Sequence, residues 1–222
     1  MKDLRRSYTP GEELASSLVH GTGALIAITG LVLLTLRSRG FFGGQDVGAM
    51  GTTAAVLFAA SMVCMFLVST LYHAIQCEKA KSVLRILDHS AIYILIAGTY
   101  TPFCLIALRG GWGWALFGFQ WGMALTGILI NALGIKKLKK LEIAVYIIMG
   151  WSIVAGWFRF VNSVSFWTVF FLIAGGVSYT LGVLWYRRKG IPGTHAVWHF
   201  FVLAGAVCHW ISVWLMLGGG YT

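Results

Sequence analysis

Residues 194–217 read THAVWHFFVLAGAVCHWISVWLML, with no Asp, Glu, Lys or Arg among them. A run of roughly 20 mostly apolar residues can cross a bilayer as a helix. This one opens with two histidines four apart, His195 and His199, and carries a third, His209. Positions i and i+4 share a helical face. The pair therefore reads in two ways. It is either two ligands of one metal ion, or two imidazoles hydrogen-bonded within a bundle or set against lipid headgroups.

Six further apolar segments precede this one, at about 17–36, 48–76, 86–108, 113–134, 141–158 and 164–186. The chain is 58% hydrophobic and 11% charged, with mean hydropathy +0.80, where soluble domains are about a quarter charged. In lipid only helices and closed barrels satisfy their own backbone, and these runs are too long and too uniformly apolar for barrel strands. The expected fold is all-α: one integral membrane domain over residues 1–222, a seven-transmembrane-helix bundle. The opening MKDLRRSYTPGEELASS does not read as a signal peptide, since two glutamates follow its basic residues and no short apolar region leads to a cleavage site. Cys64, Cys77, Cys104 and Cys208 form no CxxC pair and read as small membrane hydrophobes.

Net charge is +10, but the pattern argues against a nucleic-acid partner. The basic residues lie in short clusters between apolar runs. Lys2, Arg5 and Arg6 precede the first segment, and Lys79, Lys81 and Arg85 follow the second. Lys136, Lys137, Lys139 and Lys140 follow the fourth, and Arg187, Arg188 and Lys189 the sixth. That is thirteen on one side. Arg37, Arg39, Arg109 and Arg159 make four on the other. The asymmetry predicts a cytoplasmic N-terminus and an outer C-terminus, in a cytoplasmic membrane. Trp112 and Trp114 of GGWGW are then expected at the outer boundary.

This topology gathers the unusual residues at one depth. His73 ends the second segment, Asp88 and His89 open the third, His195 and His199 open the seventh, and Glu13 and His20 flank the start of the first. His209 stands apart, about 20 Å toward the outside at 1.5 Å per residue.

Three constellations carry chemistry. HAVWH offers His195 and His199 as ligands, but no Glu follows His195, so the general base of an HExxH site is absent. STLYH places Ser69 and His73 on one face, with His73 as a third ligand and Ser69 as hydrogen-bonder to water on the metal. The bland alternative for Ser69 is a bond to its own helix carbonyl. LDHSAIYILIAGTYTPF, residues 87–103, sets Asp88 in an apolar run, where ionisable groups mark function. Asp88 could ligate, orient a histidine or act as general base; otherwise it caps a helix or pairs with Arg85. His89 points away and reads as structural. Pro102 predicts a kink, with Thr99 and Thr101 serving the freed backbone. Three imidazoles with an open position is the pattern of catalytic zinc.

EELASSLVHGTG, STLYHA, LDHSAIYILIAGTYTPF and HAVWHFFVLAGAVCH, in this order, resemble the bacterial haemolysin III family, within the progestin and adipoQ receptor superfamily and with wider similarity to alkaline ceramidases. The resemblance runs from about Glu12 to Trp214. It implies an intramembrane Zn2+ near the cytoplasmic face, held by His73, His195 and His199. It also implies that Ser69 and Asp88 hold and activate the water. The family's early glutamate and histidine fall on Glu13 and His20; seven apart on one face, they read as a second layer around the ligands or as an interfacial cap.

The functions expected are a zinc-dependent hydrolase of a lipid amide or ester, or a non-enzymatic lipid sensor whose zinc staples helices. Either has membrane lipids as partners. A pore-forming haemolysin fits less well, because no helix carries a polar stripe suited to a wide pore. A retinal protein needs a lysine within a helix, and all lysines lie in the tail or loops. Haem needs histidine pairs on two helices, and only the seventh segment has one. Gly23, Gly30, Gly175, Gly176 and Gly182 are expected to allow close helix packing.

Overall fold

The computed structural model describes residues 8–135, 138, 141–188, 191 and 193–219. Among these residues, seven helices are long and apolar enough to span a membrane: α1 Pro10–Ser38, α2 Gly48–Ala74, α3 Glu78–Leu108, α4 Gly110–Ala132, α5 Glu142–Val161, α6 Phe166–Arg187 and α7 Thr194–Leu217. Eight of the thirteen basic residues behind the expected orientation (Lys2, Arg5, Arg6, Lys136, Lys137, Lys139, Lys140 and Lys189) lie outside the described residues.

Two helices start earlier than hydropathy alone predicts. Thr9 caps α1 with a capping box: its hydroxyl accepts from the Glu12 amide at 3.2 Å, and the Glu12 carboxylate accepts from the Thr9 amide at 3.0 Å. Pro10 follows at the first helical position, where its missing N–H costs nothing. His20 is consequently well inside α1. α3 begins at Glu78 and absorbs Lys79, Lys81 and Arg85, which were expected in a loop. Charged turns at a helix end escape a hydropathy window, but they satisfy the backbone as well as apolar ones do.

Two helices change pitch. After Pro102, which cannot donate and crowds the preceding turn, residues Phe103–Leu108 wind as a π-helix, a rare pitch. Thr99 and Thr101 donate to the Leu95 and Ala97 carbonyls at 2.7 and 2.8 Å. They do not go to Gly98, the carbonyl that Pro102 cannot serve, so the expected repair is not the one made. α5 passes through a 3-10 stretch at Ser152–Gly156, pinned by Tyr100, whose hydroxyl donates to the Gly150 carbonyl and accepts from the Ile153 amide.

α3 is the central helix: 78% of its most apolar window is buried, against 22% for α4, α5 and α6. α1 packs on α2 and α7, α2 on α3, α6 on α7, and α5 bridges α3 and α6. Side chains press on four of the five glycines singled out: Phe66 on Gly23, Trp210 on Gly30, His209 on Gly175, and Phe201 with Trp198 on Gly182. Gly176 has ordinary contact with Trp151 and room for a methyl. The cysteines are free, and the aliphatic–aromatic core runs through Leu34, Phe58, Met62, Phe66, Phe103 and Met216.

Candidate metal centre

At one end of the bundle, α1, α2 and α7 bring four buried histidines together. α7 is located by its start: Gly193, in the left-handed region at φ +81°, donates its amide to the Glu12 carboxylate at 2.7 Å. One carboxylate thus ties the first turn of α1 to the first turn of α7. His195 and His199 then project into the bundle from the first two turns of α7.

His73, His195 and His199 each offer a nitrogen, and the three atoms lie within 4.8 Å of one another. His195 Nε2 and His199 Nε2 are 3.0 Å apart. The other nitrogen of His199, Nδ1, meets the His20 ring at 2.9 Å. His73 Nδ1 meets Glu13 Oε2 at 2.6 Å, and Lys81 Nζ pairs with Glu13 Oε1 at 2.7 Å. Glu13 and His20, placed near each other by their seven-residue spacing, thus hold two of the three histidines from behind. A carboxylate on one imidazole nitrogen fixes the proton there and leaves the other nitrogen basic.

The donor set fits a metal ion. His73 Nε2 and the Oγ atoms of Ser69 and Ser16 are buried, with no hydrogen-bond partner among the described residues. Buried polar atoms are nearly always paired. An orphaned imidazole nitrogen facing two others is what a cation would satisfy, and three neutral nitrogens with no thiolate match an open site more than a closed structural one. Ser69 is not bonded to its own helix carbonyl, the bland reading of that hydroxyl. Asp88 is buried on α3, where His89, Ser69 and His73 all act on its carboxylate.

Sequence reading missed several members of this region. Tyr8 stacks on His195 with ring centroids 4.1 Å apart. Trp198 lies against His195 and His199. Glu142, at the head of α5, accepts from Asn131 and from Tyr146 at 3.1 and 2.9 Å and meets His89 Nδ1 at 3.1 Å. His89 is therefore held structurally, one residue from Asp88. The signal for Glu142 was a lone acid opening an apolar run, with Tyr146 one turn on.

A cavity of about 40 Å³ beside the histidines has Asp88, His195, Tyr8 and Glu142 in its wall. A larger one, about 110 Å³ and mostly apolar, lies between α3, α5, α6 and α7. The two share Ile92, Tyr146, Val183 and Trp198. An apolar chamber therefore abuts the polar site.

Comparison with known proteins finds relatives over nearly the whole chain. The family described as haemolysin-III related matches residues 8–210. The chain is 37% identical to a hemolysin-3 of Bacillus cereus, over 96% of this chain and 94% of that one. It is 38% identical to a hemolysin-3 homolog of Bacillus subtilis (strain 168), over 93% and 94%. The human monocyte to macrophage differentiation factor is 29% identical, over 73% of this chain and 70% of its own length.

Proposed function

The chain belongs to the haemolysin III family of multi-pass bacterial membrane proteins, and on that premise we propose that it is a zinc-dependent hydrolase of a lipid amide or ester. The observation that carries this is the wall shared by the apolar chamber and the Asp88–His195 cavity, which gives an acyl chain a place to lie with its carbonyl at the histidines. We place that end on the cytoplasmic side, on the charge asymmetry of the sequence.

His73, His195 and His199 would hold the metal, which when bound supplies Lewis-acid polarisation of a carbonyl and lowers the pKa of water. The rest falls to this chain's own side chains. Glu13, at 2.6 Å from His73 Nδ1, keeps the proton on that nitrogen. His20 orients His199 in the same manner. Asp88 is the general base, taking a proton from the attacking water and returning it to the leaving group. Ser69 Oγ donates to oxygen charge developing at the carbonyl. Ile92, Val183 and Trp198 exclude bulk water from the junction of the cavities.

The test is elemental analysis and turnover on the detergent-purified protein and its His195→Ala and Asp88→Asn variants, with ceramide-like and phospholipid substrates. About one zinc per chain, lost in His195→Ala, kept without turnover in Asp88→Asn, is the expected result. Zinc with no turnover on any lipid would leave the second reading, a non-enzymatic lipid sensor. The cover that Tyr8 places over His195 is the observation favouring it. No zinc in any of the three would remove both.

A further inference from the structure

The apolar chamber has a polar pair in its wall, far from the histidine cluster. His209 of α7 is 7% exposed, and its Nε2 lies 3.1 Å from the Leu172 carbonyl. A carbonyl only accepts, so Nε2 carries the proton and Nδ1 is a bare acceptor. That Nδ1 is buried with no partner among the described residues, and so is the hydroxyl of Tyr179 on α6. The two rings meet edge to face, centroids 5.3 Å apart, and both line the chamber.

The other hydroxyls of the chamber are satisfied. Thr99 donates to Leu95 and Thr180 to Gly176, while the Tyr100 hydroxyl donates to Gly150 and accepts from Ile153. Among the described residues of the chamber wall, the Tyr179 hydroxyl and His209 Nδ1 are the buried side-chain polar atoms without a hydrogen-bond partner, one a donor and one an acceptor on rings in contact. The backbone is shaped to seat them. A Cβ on Gly175 would land on the His209 ring, and one on Gly205 would come within 2.8 Å of the Tyr179 ring. Each ring thus lies over a glycine of the opposite helix, the two contacts one turn apart.

We infer that Tyr179 and His209 form a recognition site for a hydroxyl group on an otherwise apolar lipid chain. A hydroxyl accepts from Tyr179 and donates to His209 Nδ1, and its carbon skeleton is covered by the apolar walls. A ketone or ether can only accept and leaves Nδ1 unpaired. A buried water typically makes about three hydrogen bonds, and the pair supplies two. His209 lies ten residues past His199 on one helix, about 15 Å away. The site therefore reads a position well along the chain rather than at its head. This rests on the chamber taking a lipid chain, as the proposed function has it, but does not require metal at the histidines.

The test is binding to the purified protein in nanodiscs of octadecanoic acid and of a series of hydroxyoctadecanoic acids with the hydroxyl moved along the chain. At one net hydrogen bond or slightly more, wild type should prefer the best-placed hydroxyl about tenfold. Tyr179→Phe should abolish that preference while keeping affinity for octadecanoic acid, and His209→Leu should do the same. Equal binding of plain and hydroxylated chains by wild type, or a preference that survives both substitutions, overturns the inference while leaving the chamber a lipid site. Binding of neither chain overturns the chamber reading and this inference with it.

Discussion

α7 carries histidines at its two ends in opposite circumstances. His195 and His199 sit among other imidazoles drawn from α1 and α2, with a carboxylate one contact away at His73. His209 has a backbone carbonyl and an aromatic edge, and among the described residues no Asp, Glu, Lys or Arg lies in the wall of its chamber. The first arrangement multiplies basic nitrogens around a point, which a cation satisfies together. The second leaves one acceptor and one donor in hydrocarbon, which a single neutral hydroxyl satisfies. The same side chain on the same helix is committed to different chemistry by what the neighbouring helices present to it.

The comparison can be broken most directly at the cluster. His73→Ala, His195→Ala and His199→Ala should each take bound zinc from about one per chain to none, and each leaves a cavity and unpaired polar partners costing about 2–4 kcal/mol. Metal analysis with thermal unfolding reads both; zinc retained in all three would dissolve the distinction. The chelator 1,10-phenanthroline should lower the melting temperature of wild type and leave His199→Ala unchanged. Glu13→Gln should weaken zinc binding about 10- to 100-fold without emptying the site at saturating zinc, as competition with a fluorescent chelator would show.

At the other end the effects should be smaller and independent of metal. Gly175→Ala and Gly205→Ala force the two rings to move and should destabilise by about 1–3 kcal/mol. Tyr179→Phe should change stability by less than about 1 kcal/mol and leave zinc content intact. Zinc loss in Tyr179→Phe would mean the two ends are one coupled site rather than two.

Much of the site was legible because its spacing is local. Ser69 with His73, and His195 with His199, share a face by helical period alone, and alternating topology sets Asp88 at the same depth. Glu142 and Tyr8 escaped because their roles come from helices that meet only in the bundle. The early starts of α1 and α3 escaped because capping and charged turns do not register as hydropathy.

The seven spans were decided by the sequence itself, because a backbone in lipid must pair within its own segment and each apolar run therefore specifies its own helix. Which faces of those helices meet was not, because hydrocarbon gives no hydrophobic drive between apolar helices. Rotation and tilt are set by ring-on-glycine fits such as His209 on Gly175 and Trp210 on Gly30, and by the Glu12 bond to Gly193. Only those tertiary contacts bring three histidines within 4.8 Å and open a chamber beside them.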